Sequence, residues 1–261
     1  MGAALHVIDA GAGPTLVLVH GAMERAGGLA RVARHLRNVH LVRYDRRGYA
    51  GSVALGPGDL DAHAADLVGL LGDLGTGPTG ERPTVVGHSM GGLVALAAAH
   101  AAPDLIASVG AYEPPTPWHP RWPVGIESWT GDEARAVDLV VEHAIGAERW
   151  ARAPASVRAV RRAEGGALMT EMRSLVTHPP GGVPPALGPV DVPLSIAYGS
   201  ASPPNVGDGL VDLVHRLGSG TIVRVEGPAH RAPTTHARAY AAWAASLVRP
   251  DPDRVASPVP R

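Results

Sequence analysis

Short runs that are apolar from end to end constrain this chain more than any other feature. Residues 15–20 read Thr-Leu-Val-Leu-Val-His, with four consecutive aliphatic residues, 16–19, covering both sides of the pleat. A strand with one face in water alternates polar and apolar positions, whereas a strand covered on both faces does not. Residues 39–44, 84–86 and 105–112 read as further strands, and a first strand near 5–8 ends at the turn Gly11-Ala-Gly-Pro14. Between them Leu29, Val32, Ala33 and Leu36 fall at helical spacing, as do Leu60, Leu67, Leu70, Leu71 and Leu74. Strand-helix alternation of this kind predicts an α/β fold with a mostly parallel sheet flanked by helices.

The alternation stops after Glu113. Residues 114–123 hold five prolines, which cannot continue a helix. Helical patterns follow over 132–150 and 155–176, then a Pro/Gly-rich stretch over 179–189. The strand-helix order resumes with a strand at 194–198, a helix at 209–217, a strand at 221–225 and a last helix at 235–248, whose Tyr240, Trp243, Ala244 and Leu247 share one face. The organisation expected is a core made of residues 1–113 and 191–248, a helical insertion over 114–190, and a frayed proline-containing tail over 249–261.

Composition removes several classes of function. The 261 residues carry 23 Lys+Arg and 24 Asp+Glu, a net charge of −1, without the cationic excess that nucleic acid or an anionic membrane attracts. With 45% apolar and 18% charged residues the chain has enough material for a core. The absence of cysteine excludes disulfides, thiolate zinc sites and a cysteine nucleophile. The uncharged stretch 83–103 is long enough to span a membrane, yet it contains His88, Ser89, His100 and three glycines, which suit a turn and a buried helix. The first residues lack the basic end of a signal peptide, so a cytoplasmic protein is expected, with no membrane or nucleic-acid partner.

The chemistry centres on Gly87-His88-Ser89-Met90-Gly91, a G-x-S-x-G pattern with an apolar strand before it and an Ala/Leu-rich helix after it. Such a strand-to-helix turn exposes the serine Oγ above the carboxyl edge of the sheet. It also aims the N–H of the next residue, Met90, at a developing oxyanion. A serine hydroxyl needs a base. His230, in Glu226-Gly-Pro-Ala-His230, lies just past the last expected strand and would reach the same sheet edge. The other histidines, His88, His100, His178, His215 and His236 among them, read as structural or exposed. His20-Gly21-Ala22-Met23 closes an early strand and offers a second oxyanion donor, the N–H of Ala22.

These pieces, with Asp45-Arg-Arg-Gly-Tyr-Ala-Gly-Ser52 and Tyr112-Glu-Pro-Pro115, come in an order that resembles the α/β-hydrolase-fold superfamily over residues 5–248. The resemblance implies a serine hydrolase with a helical lid inserted after the sixth strand, and it makes residues 45–52 a loop brace near the site. It also exposes a departure. The family commonly places its third catalytic member, a carboxylate, in a Gly-x-x-Asp turn, and here Gly199-Ser-Ala-Ser202 puts a serine at that position. Some relatives carry the acid one strand earlier, which points to Glu113. Asp208, another displaced carboxylate or a Ser–His pair without an acid stay open as alternatives.

Four of the five tryptophans fall in the insertion, and Trp118, Trp122 and Trp129 are candidates for an apolar substrate wall. The activity expected is cofactor-independent and metal-free hydrolysis of a small to medium, largely apolar ester, thioester or lactone through an acyl-enzyme. C–C bond hydrolysis or perhydrolysis at the same site, or ligand binding with little turnover, are the alternatives. The sequence does not specify an oligomeric state.

Overall fold

A computed structural model describes residues 4–120, 132–176 and 182–248. Seven strands form one sheet: β1 (Val7–Gly11), β2 (Thr15–Val19), β3 (His40–Tyr44), β4 (Thr84–His88), β5 (Ser108–Tyr112), β6 (Leu194–Gly199) and β7 (Thr221–Val225), in the order β1-β3-β2-β4-β5-β6-β7. Every pairing is parallel except β1 with β3. The uniformly apolar runs occupy the middle: every residue of β2 to β5 is buried, while β1 and β7 lie at the edges and are largely exposed. The expected mostly parallel α/β sheet is therefore present.

Alternate residues of each strand feed two cores. Val17, Val19, Val42, Val85, Val109 and Ile196 face helices α2 (Leu60–Leu74), α3 (Met90–Ala101) and α8 (Pro204–Leu217). Leu16, Leu18, Leu41, Val86 and Ala197 face Leu29, Val32, Tyr240 and Trp243, from the segment leading into α1 (Ala30–Ala33) and from α10 (Ala237–Ser246). This two-sided burial is what the lack of alternation in the strands encodes.

The boundaries differ from the sequence expectation where glycine and proline intervene. The helix expected over 132–150 is two, α4 (Glu133–Ile145) and α5 (Ala147–Ala151), broken at Gly146 with φ 90°. The pattern over 155–176 likewise divides into α6 (Ala155–Arg162) and α7 (Gly165–Val176). The last helix begins earlier, with a separate turn α9 (Ala232–Thr235) ahead of α10. The insertion follows the fifth described strand and not the sixth; the higher count came from the family resemblance, and the sequence itself shows five strand-like runs before Glu113. The tail over 249–261 lies outside the described residues. Among the described residues no helix is long and apolar enough to cross a membrane.

The insertion is fastened to the sheet by buried charge. Arg46, fully buried, donates from Nη1 to Glu171 Oε2 on α7 at 2.7 Å, from Nε to the His20 carbonyl at 2.9 Å and from Nη2 to the Gly21 carbonyl at 3.1 Å. Tyr49 donates to the other oxygen of Glu171 at 2.5 Å. Burial by itself would raise the Glu171 pKa, but the Arg46 guanidinium, helped by His63, outweighs it and holds the carboxyl down. Asp45 behaves as the expected brace, accepting from the Ala26 N–H at 2.8 Å and the Gly51 N–H at 3.1 Å.

Candidate active site

Ser89 stands between β4 and α3 with φ 52° and ψ −125°, a conformation few L-residues adopt and one that costs of order 1–3 kcal/mol. Its flanking glycines are obligatory on steric grounds: a Cβ on Gly87 would lie 2.0 Å from the Gly91 carbonyl oxygen, and one on Gly91 would lie 2.4 Å from that of Val19. The sheet therefore forces the elbow, and the elbow lifts Ser89 to the carboxyl ends of the strands.

The register then sets its neighbours. His88 pairs with Tyr112 across β4 and β5, and the Ser89 N–H continues the ladder by donating to the Tyr112 carbonyl at 2.9 Å. The next residue along β5 is Glu113, whose own N–H donates to the Ala197 carbonyl at 2.8 Å. Glu113 also has a positive φ, 43°, so two strained non-glycine residues sit side by side at this edge. Strain of this sort concentrates where a side chain must be aimed.

Glu113 is aimed at His230. Its Oε2 lies 2.9 Å from His230 Nδ1, and its Oε1 accepts from the Gly199 N–H at 2.9 Å and from the Ser202 hydroxyl. Burial would raise the Glu113 pKa, but the bonds from His230, Gly199 and Ser202 prevail and hold it below the ordinary carboxylate value. The carboxylate is 3% exposed and the imidazole 46%, so the pair has a buried anchor and an accessible outer face. The loop carrying His230 is docked on the loop after β6 and on the end of β5: the Ala201 N–H donates to the Pro228 carbonyl at 3.0 Å, and the Tyr112 hydroxyl to the Ala229 carbonyl at 3.2 Å.

The carboxylate that meets His230 is thus Glu113. Asp208 is exposed on α8 and is not the partner of His230 Nδ1. Ser202, at the position where the family commonly has its carboxylate, donates to Glu113. Ser89 and His230 come to the same edge, His88 beside Ser89 lying 4.9 Å from the His230 ring between centroids. Among the described residues the Ser89 hydroxyl forms no hydrogen bond.

Ala22 follows Gly21 in the loop after β2, and a Cβ on Gly21 would approach Ser89 Cβ to 3.0 Å, so the loop bearing the Ala22 N–H lies against Ser89. Met90 is the first residue of α3, where backbone N–H groups have no partner within the helix. Of the tryptophans, Trp118 is half-buried against the main core, while Trp122 and Trp129 lie outside the described residues. Trp150 packs inside the insertion, donating from Nε1 to Asp138 at 2.9 Å. Sequence reasoning read His88 as structural or exposed and did not single out Glu24: His88 is buried, 2.9 Å from Glu24 Oε2 and 2.7 Å from the His230 carbonyl oxygen.

Residues 12–165, more than half of the chain, match the family model described as serine aminopeptidase, S33. The chain belongs to this family of α/β-hydrolases. It is 38% identical over 112 residues to lipase LipV of Mycobacterium tuberculosis, a match covering 42% of this chain and 41% of that protein, so the match spans less than half of LipV. Two solved structures share the fold across nearly the whole length. One is a thermophilic esterase from Thermogutta terrifontis, with TM-score 0.68, 20% identity and 94% of each chain covered. The other is E-2-(acetamidomethylene)succinate hydrolase, with TM-score 0.66, 20% identity and 94% of each chain covered. This chain has the α/β-hydrolase fold.

Proposed function

We propose that the protein is a cofactor-independent serine hydrolase of small to medium, largely apolar esters, thioesters or lactones, working through an acyl-enzyme on Ser89. The observation that carries this reading is the His230–Glu113 pair at 2.9 Å, set beside a serine held in a strained elbow. Glu113 fixes the Nδ1–H tautomer of His230, which leaves Nε2 free to accept the Ser89 proton as Oγ attacks the substrate carbonyl carbon. The tetrahedral oxyanion is received by the N–H groups of Ala22 and Met90, the second reinforced by the positive end of α3. His230, now an imidazolium stabilised by Glu113, returns the proton to the leaving oxygen or sulfur. It then draws a proton from water, which attacks the acyl-enzyme and frees the acid.

Residues 114–190 act in this reading as a lid, with Trp118 contributing apolar surface to the substrate wall and Trp122 and Trp129 proposed to do the same. A ligand-binding protein with little turnover would be favoured by a site lacking an acid, whereas here a carboxylate, Glu113, held by the Ser202 hydroxyl, meets His230. The test is hydrolysis of a p-nitrophenyl ester series of increasing acyl length. Measurable turnover that vanishes in Ser89→Ala and His230→Ala supports the proposal; turnover retained by folded Ser89→Ala overturns it.

A further inference from the structure

His88, the residue just before the proposed nucleophile, has both ring nitrogens engaged and plays no part in the mechanism above. Its Nε2 is 2.7 Å from the His230 carbonyl oxygen, which can only accept, so Nε2 carries a proton. Its Nδ1 is 2.9 Å from Glu24 Oε2, and the same oxygen accepts the Gly21 N–H at 2.7 Å. An ionised carboxylate also only accepts, so with Glu24 ionised Nδ1 carries a proton too, which makes the ring an imidazolium. The pKa directions agree. Burial pulls the His88 pKa down, but Glu24 overrides it and the net shift is upward; burial pushes Glu24 up, but His88 and the Gly21 N–H bring it to about 2.

Glu24 and His88 therefore join three separated pieces: the turn ahead of the Ala22 N–H, the strand end ahead of Ser89, and the main chain of His230. We propose that His88 is a positioning residue which, as a charged ring clamped between Glu24 and the His230 carbonyl, holds the base and the oxyanion loop in register with Ser89. The proposal rests on the Ser89–His230 reading of the site. Loss of one proton leaves either Nδ1 facing the Glu24 oxygen or Nε2 facing the carbonyl without a hydrogen, and one arm of the clamp opens. Activity then declines on the alkaline side as His88 deprotonates, separately from the acid limb set by the need for an unprotonated base.

The groups facing His88 leave it as the source of that alkaline limb. Glu24 comes from the loop after β2, Glu113 from the end of β5 and His230 from the loop after β7. Tyr112 and Tyr240 lie 6.1 and 6.4 Å away between ring centroids. Both carboxylates are held below their ordinary range, and burial drives both tyrosines upward, so none of these four changes charge between pH 6 and 9.

The first test is nitrogen-15 NMR of the histidine rings in the full chain at pH 7.5, with His88 assigned by its absence in His88→Gln. Protonation at both nitrogens is expected, and a neutral His88 ring overturns the proposal whether or not the protein turns over esters. The second is kinetic. His88→Gln should lower kcat for p-nitrophenyl butyrate about 10–100-fold, the loss of one charge-assisted hydrogen bond, with KM within twofold and the alkaline limb gone. A kcat within twofold of wild type, or an unmoved alkaline limb, overturns it. Should His88→Gln not fold, Glu24→Gln keeps the shape and removes the charge; its alkaline limb should fall by at least one pH unit, and an unchanged limb overturns the proposal. A wild type with no turnover counts against the hydrolase reading, and NMR then decides the clamp alone.

Discussion

Replacing Glu113 with glutamine separates charge from shape at the site's most buried carboxylate. In the wild type Oε1 accepts two hydrogen bonds, from the Gly199 N–H and the Ser202 hydroxyl, and Oε2 accepts one from His230 Nδ1. A glutamine has one acceptor oxygen and one NH2 group. If the oxygen keeps the two protein donors, the NH2 group faces Nδ1 and forces it to accept, so the proton moves to Nε2, where it blocks deprotonation of Ser89. If the amide flips, its NH2 group meets the Gly199 N–H, and a buried donor without a partner costs ~1–3 kcal/mol. The unflipped, wrong-tautomer form is therefore favoured, and the imidazolium loses its counter-charge as well. Losing the carboxylate of such a triad lowers kcat by ~10⁴ in a well-studied protease, or ~5.5 kcal/mol. The expectation for Glu113→Gln is a fall of 10³–10⁴ in kcat for a p-nitrophenyl ester, with KM little changed and a circular dichroism spectrum like the wild type. A folded Glu113→Gln within tenfold of wild-type kcat would refute the assignment of the acid.

Ser202→Asp places a second carboxylate beside Glu113 instead of filling a vacancy. It should lower kcat, and a raised kcat in a steady-state ester assay would show that position 202 is an empty acid site. Gly91→Ala drives a methyl against the Val19 and His20 carbonyl oxygens, 2.4 and 2.5 Å away, and should cost several kcal/mol or abolish folding, read as the urea midpoint; an unchanged midpoint contradicts the elbow geometry. Glu171→Ala leaves the buried Arg46 without its partner and should cost ~3–5 kcal/mol in urea unfolding, with a loss below 1 kcal/mol contradicting it. The same pair fixes an acid dependence. Because the Glu171 pKa falls from 4.5 to about 2 on folding, its stabilisation is complete above pH 4.5 and is lost as pH drops towards 2. The wild-type urea midpoint should decline through that window, and Glu171→Ala should decline less.

Much of the framework is legible because burial on both faces and the elbow leave local marks. Residues 15–19 have no polar alternation since both sheet faces are covered, and Gly87 and Gly91 are glycines since a Cβ would collide with backbone. Residue 113 comes into view only through the family resemblance, with Asp208, another carboxylate and an acid-free pair left open, and it is the pairing of β5 with β4 that brings it to the edge that carries Ser89. The breaks in the insertion were less legible: one glycine at 146 ends α4, and a 3.6-residue period runs through it unchanged. What Ser202 bonds was not legible, because the identity of a side chain at a family position does not say what it touches. The contact between His88 and Glu24 was hidden for a different reason. They are 64 residues apart, and only the parallel adjacency of β2 and β4 brings them together.

Phosphonylation of the intact protein by a fluorophosphonate, located by peptide mass spectrometry and timed at pH 7.5, tests the central claim most directly. The account predicts a single adduct on Ser89, absent in Ser89→Ala, with its rate reduced by orders of magnitude in His230→Ala and in Glu113→Gln. An adduct on another residue, or labelling of Ser89 at an unchanged rate in both variants, would contradict it.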